Sequence, residues 1–113
     1  MKAGDIRLSS LRQADGQIKT RPVLHLRAAP PFGDFIACGL STQLQQEVQG
    51  FDEILSPNDA DFATARLKQP SLIRLAFLGS VPVRELRGRV GFISDTRLHR
   101  LLTKLADLLR PHA

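Results

Sequence analysis

The sequence predicts a mostly β member of the α+β class: a partly open antiparallel barrel of short strands, its end or edge covered by one terminal helix. Three observations carry that prediction. Apolar residues alternate along five or more short segments. Gly, Pro and Asp-Gly punctuation separates those segments. The C-terminal stretch instead carries leucines at helical spacing. At 113 residues the chain reads as a single domain over residues 1–113, long enough to bury roughly two thirds of its unfolded surface.

Each element follows in order. Residues 6–11 read as a strand with Ile6 and Leu8 on one face. Residues 12–20 are polar and carry Asp15-Gly16, a hairpin signal. Residues 22–27 form a second strand with Leu24 and Leu26 facing one way, and Pro30-Pro31 ends it because proline cannot donate to a ladder. Residues 35–41 form a third, with Ile36, Cys38 and Leu40 on a common face. Gly39 at its centre predicts a bulge or a close approach by another backbone. A Gln-rich polar stretch over 43–49 leads to a strand over 51–55. Ser56-Pro57 predicts a helix start, with Asp59 and Asp61 favoured near its N-terminus and an end near Leu67 before Pro70. Residues 71–78 are the most apolar strand, with Ile73, Leu75 and Phe77 alternating. Residues 79–82 predict a turn and 83–90 a charged strand or strand pair. Ser94 then caps a helix carrying Leu98, Leu101, Leu102, Leu105 and Leu109, with Pro111 beyond it. Its Leu stripe packs on the sheet or, alternatively, faces a membrane surface or a protein partner.

Composition excludes several function classes. Apolar residues are 42% and charged residues 24%, the balance of a folded soluble protein rather than a disordered one. No run of about 18 apolar residues supplies a membrane helix. Lys2 and Asp5 come before any apolar stretch, so no signal peptide is expected and the cytoplasm is the expected location. One cysteine excludes an internal disulfide framework and a Cys-rich zinc site. No nucleotide-binding loop or metal motif is present, so no cofactor is expected. Lys plus Arg number 16 against 11 acids, a net charge of +5 that favours a polyanion or an acidic protein segment. Trp and Tyr are absent, so base stacking is poorly supplied and arginine–phosphate contacts would carry nucleic-acid binding. Among the histidines, His99 belongs to the polar side of the last helix, His112 to the tail, and His25 to a strand face with Arg21, Val23 and Arg27. Four strand residues span about 13 Å, so Arg21 and His25 do not easily serve one phosphate. His25 is expected to be an ordinary strand histidine, with a catalytic role as the alternative, and Cys38 a buried small hydrophobe.

Five blocks resemble one family in its own order and spacing. Gly4-Asp5-Ile6, Arg21-Pro22-Val23-Leu24, Phe35-Ile36-Ala37-Cys38-Gly39-Leu40-Ser41-Thr42-Gln43, Leu67-Lys68-Gln69-Pro70-Ser71-Leu72-Ile73-Arg74-Leu75 and Gly91-Phe92-Ile93-Ser94-Asp95 are similar to motifs of the PemK/MazF toxins, small endoribonucleases of bacterial toxin–antitoxin systems. The resemblance implies an SH3-like, partly open barrel with a C-terminal helix. It implies a homodimer that cuts single-stranded RNA without a metal and is neutralised by an antitoxin threading an acidic segment over the RNA groove.

The family's functional arginine falls on Arg21, its strand-end hydroxyl on Ser41 and its second arginine on Arg74. Lys19, Thr20, Thr42 and Gln43 are the accompanying RNA-binding candidates. Arginine is a poor base but a good bidentate partner for phosphate, so Arg21 is expected to stabilise the transition state. Ser41 would bond the same phosphate or the attacking hydroxyl, and Arg74 would position a neighbouring phosphate or donate in place of the missing acid–base pair. Some members carry an aspartate where this chain has Ala76, and some a histidine in the first loop, where residues 12–20 have none. The proton acceptor is therefore unassigned, with Asp15 and Glu53 as candidates. Plain structural roles stand beside these: Arg21 as a solvated strand start, Ser41 as a strand end, Arg74 paired with an acid on a neighbouring strand, Gln43 as loop surface. The alternative function is a non-catalytic relative that binds RNA, an antitoxin or a protein target such as DNA gyrase. Arg21 and Ser41 argue against the gyrase-type reading, which does not need that pair.

Overall fold

The computed structural model describes residues 2–12, 15–82 and 88–112. Six strands are present among the described residues: β1 (Asp5–Arg12), β2 (Ile18–Ala29), β3 (Asp34–Ser41), β4 (Glu53–Leu55), β5 (Ser71–Val81) and β6 (Arg89–Phe92). They form one antiparallel sheet in the order β4-β5-β3-β2-β1-β6, a half-barrel. Among the described residues two α-helices accompany the sheet, α1 (Phe62–Ala65) and α2 (Asp95–Leu109).

Period-two alternation builds the core. Ile6, Leu24, Cys38, Leu40, Ile73 and Leu75 turn one face of the sheet toward α2, whose Leu101 and Leu105 complete the cluster. Full burial of each such side chain contributes about 1.5–3 kcal/mol. Leu8 and Ile36 share this face by spacing. They lie beyond register shifts at Ile6/Arg7 and His25/Arg27, and both stay partly exposed. Helix α2 begins as the sequence predicts, with Ser94 Oγ accepting the Arg97 N–H at 3.1 Å and Asp95 in the first turn. His99 lies on its exposed side. Its last turn is exposed, Leu109 to 70%. No helix among the described residues is long and apolar enough to cross a membrane.

Three local expectations are corrected. The predicted helix to Leu67 shrinks to four residues, and Arg66 closes it in the left-handed region at φ 56°. Ser56 does not cap it: its amide donates to Asp59 Oδ2 at 2.8 Å, forming a turn. The predicted turn at 79–82 is a strand as far as Val81, because β3 offers ladder partners to Gly79, Ser80 and Val81. Tertiary pairing outweighs the local Gly-Ser turn preference there. The strand predicted over 83–90 is seen as β6, starting at Arg89, and residues 83–87 lie outside the described residues. The Gln-rich stretch holds a 3₁₀ turn (Leu44–Gln46).

Asp59 and Asp61 serve Arg97 rather than a helix dipole. Arg97 is 6% exposed. Its guanidinium reaches Glu53 at 2.7 Å, Asp61 at 2.9 Å and Asp59 at 3.2 Å. Arg100 and Lys104 add further bonds to Glu53 at 2.7 and 3.1 Å. The network ties α2 to the β4–α1 segment.

Titration of these buried groups gives a stability profile. Burial pushes the Glu53 carboxyl up, but bonds from Arg100 and Lys104 outweigh it and hold the group below its ordinary value. Asp61 is likewise held down, burial being outweighed by Arg97 and the Ser94 amide. Both therefore stabilise the fold above the ordinary carboxylate pKa of about 4, and that contribution is lost as pH falls through their lower folded values. His25 acts at higher pH. Its ring is fully buried and stacked on Phe35 at 4.7 Å. Burial, then Arg7, lower its pKa to about 4 despite Asp5. The unfolded chain takes up that proton first, so stability declines as pH drops from about 6.5 to about 4. Urea midpoints are expected to fall in these two successive windows. His25→Phe, which replaces a ring with no hydrogen-bond partner, is expected to flatten the first window and leave the second. An unchanged first window would contradict the assignment.

Candidate functional site

A bulge in β5 shapes the site. Gly39 pairs with Arg74 and Cys38 with Leu78, so Leu75, Ala76 and Phe77 fall between two successive positions of β3. Leu75 keeps to the core, while Phe77 swings to the opposite face, against Val23, Ala37 and Val81. The Leu75 amide donates to Asp52 Oδ1 at 3.1 Å, and the other Asp52 oxygen accepts the Val48 amide at 3.0 Å. Asp52 thus satisfies a buried donor at the bulge. Phe77 lies so close to Gly39 that a Cβ there would sit 2.5 Å from the ring. Of the two alternatives expected at Gly39, the bulge is present, with its extra residues on β5; the group that approaches Gly39 is a side-chain ring, not a second backbone. The Arg74 guanidinium then rests over Phe77, 5.2 Å from the ring centre.

Arg21, Ser41 and Arg74 meet at one small cleft. They line it with Pro22, Gly39 and Phe77, around about 40 Å³. Extending the β2–β3 register from Val23↔Gly39 sets Arg21 across from Ser41. A shallower groove of about 210 Å³ continues past Arg21 and Ser41 to Thr42, Leu67 and Ser71. Ser41 Oγ accepts the Gln43 amide at 3.0 Å, which leaves its own proton to donate. Among the described residues neither Arg21 nor Arg74 has an acidic partner, and the cleft lining holds no carboxylate or imidazole. Arg74 therefore does not take the acid-paired role that was its structural alternative. Two arginines and a hydroxyl residue lining one cleft without a counter-charge in that lining are groups that can hold an anion.

The remaining candidates divide. Thr42 lines the groove. Lys19 and Thr20 are exposed on β2 just before Arg21. Gln43 is exposed, with its Oε1 accepting from Gln45 at 2.8 Å, and lines neither the cleft nor the groove. Glu53 is corrected as a base: it is bound by Arg97, Arg100 and Lys104 on the α2 side. Asp15 is exposed, accepts the Gln17 amide at 2.9 Å within its turn and is absent from the cleft lining. Cys38 is fully buried in the core, and burial pushes its thiol up to about 12, so it is no nucleophile. No group of three His, Cys, Asp or Glu side chains suited to a metal occurs among the described residues. Phe77, Asp52 and Arg97 escape sequence reading, because each acts through a contact distant along the chain.

A family model described as the PemK-like, MazF-like toxin of type II toxin–antitoxin systems matches residues 2–109. The chain belongs to that family. No curated protein matches it in sequence. Among solved structures it is similar to the Mycobacterium tuberculosis toxin MazF-mt6, with a TM-score of 0.64 and 21% identity, over 91% of this chain and 93% of that one. That likeness is one of fold: the half-barrel and C-terminal helix expected from the resemblance are both present.

In this PemK/MazF-type chain the Gly39–Phe77 contact predicts a sensitive position. Gly39→Ala forces the Phe77 ring to shift and carries the Arg74 guanidinium with it. The variant is expected to lose about 1–3 kcal/mol of stability and to lower any activity that depends on Arg74. Gly39→Ala combined with Phe77→Leu, which removes the clash, is expected to regain most of the stability in urea titrations. No recovery would show that the contact does not govern the site.

Proposed function

We propose that this toxin is a metal-independent endoribonuclease that cuts single-stranded RNA at short sequences and thereby blocks translation and growth. The observation that carries the reading is the convergence of Arg21, Ser41 and Arg74 on one cleft without an acidic partner. Family membership supports it.

In the proposed reaction the substrate's 2′-oxygen attacks the adjacent phosphorus and loses its proton. The P–O5′ bond breaks, and O5′ leaves with a proton from solvent water, which also takes up the 2′-proton, giving a 2′,3′-cyclic phosphate and a 5′-hydroxyl. Arg21 donates two N–H bonds to the phosphoryl oxygens as charge accumulates. Ser41 donates its hydroxyl proton to the same phosphate. Arg74, supported by Phe77, holds the neighbouring phosphate. Lys19, Thr20, Thr42 and Gln43 contact the flanking strand. The working unit is a homodimer in the cytoplasm, restrained by a cognate antitoxin whose acidic segment covers the basic groove.

A second reading has its own observation. Neither a carboxylate nor an imidazole lines the cleft, and the family's occasional aspartate position is Ala76. That favours a relative that binds RNA or an antitoxin without cutting. An RNA carrying a single 2′-deoxy substitution at the mapped cut separates the readings. Nuclease action predicts that cleavage stops there and that the unmodified RNA yields cyclic phosphate ends. Binding without cutting predicts intact RNA in both cases.

A further inference from the structure

A second pocket adjoins the cleft and shares two of its walls. It encloses about 230 Å³ and is lined by Gln46, Val48, Asp52, Arg74, Ala76 and Phe77. Arg74 and Phe77 also line the cleft, so an occupant here is next to whatever anion the cleft holds. Pockets for drug-sized ligands begin at about 300 Å³; this one suits a single nucleobase. Val48, Ala76 and Phe77 supply an apolar wall, and the missing side chain at Ala76 keeps the space open. Asp52 supplies the polar end. Asp52 is 7% exposed as a residue, and each of its carboxylate oxygens already accepts one backbone amide, from Val48 and Leu75. An ionised carboxylate has about four lone-pair sites, so each oxygen can accept once more and neither can donate.

We propose that this pocket holds the base beside the proposed scissile phosphate and that Asp52 and Gln46 select guanine. The inference rests on the cleft acting on RNA. Guanine offers two adjacent donors, N1–H and N2–H, to a carboxylate's two oxygens. Cytosine and adenine offer one amino group beside a ring nitrogen acceptor, which the carboxylate repels. Uracil sets its single N–H between two carbonyls. The exposed Gln46 amide donates to guanine O6, completing the edge.

The test sequences the ends produced from a random-sequence RNA pool by wild-type protein, Gln46→Ala and Ala76→Leu. Asp52 is left alone because it also anchors two backbone amides. The wild type is expected to enrich guanine at one position within two nucleotides of the cut. Gln46→Ala should weaken that enrichment about fivefold, the loss of one hydrogen bond, and leave other positions unchanged. Ala76→Leu fills the pocket and should abolish the preference. An absent guanine bias, or a bias untouched by both variants, overturns the proposal. If the wild type cuts nothing, the nuclease reading fails separately. The pool is then selected for binding, where a guanine preference that Ala76→Leu removes still supports the pocket and its absence overturns it.

Discussion

Arg21→Ala is expected to lower RNA cleavage about 100- to 1,000-fold, the loss of one donor to a developing oxyanion, while leaving the fold intact. The two halves of that expectation have separate causes. Arg21 is exposed and makes no ion pair among the described residues, and surface substitutions of that kind change stability by no more than about 0.5 kcal/mol. In the proposed reaction its value lies in charge that appears only as the phosphate becomes pentacoordinate, so the loss is expected to fall on the chemical step. Arg21→Lys keeps the charge but not the planar fork, and should recover only part of the rate. Single-turnover cleavage beside urea unfolding reads both quantities. Normal cleavage by a folded Arg21→Ala protein would remove Arg21 from the site.

The largest loss of stability is expected at Arg97. Arg97→Ala leaves Glu53 and Asp61 buried without their shared counter-charge, a change that costs about 3–5 kcal/mol. Arg100 and Lys104 still reach Glu53, and Asp61 keeps backbone amide bonds such as that from Ser94 but loses its arginine. The loss should therefore lie toward the lower end of that range. Its consequence is local first: α2 loses its ties to Asp59 and Asp61 at the start of α1 and keeps those to Glu53. Cleavage per folded molecule should be close to normal at low temperature. Urea titration measures the cost, and a drop below about 1 kcal/mol would mean that solvent already screens the network.

The sequence made the strands and the last helix legible because burial there follows local alternation and capping: Leu24 with Leu26, Ile73 with Leu75, Ser94 before the Leu stripe. It misled where a distant partner overrode a local preference. Asp59 and Asp61 resemble helix-start acids, yet Arg97 recruits them. Gly79 and Ser80 resemble a turn, yet β3 pairs with them. Phe77 alternates with Ile73 and Leu75, yet the bulge turns it to the opposite face. The site divides the same way. Arg21, Ser41 and Arg74 were legible through family-like motifs, and the cleft brings all three together. The support beneath Arg74 was not, because it depends on a ring crossing to a glycine on another strand. Nor was the pocket beside it, whose carboxylate comes from the turn before β4 and whose open space comes from Ala76.

The central claim is that this cleft cuts RNA through Arg21. Its most direct measurement incubates the antitoxin-free protein, beside Arg21→Ala, with a long single-stranded RNA in EDTA, and maps the fragment ends. Discrete wild-type cuts at a shared short sequence, absent from the variant, are the predicted result. Intact RNA with a folded wild-type protein, or identical cuts from both proteins, would contradict it.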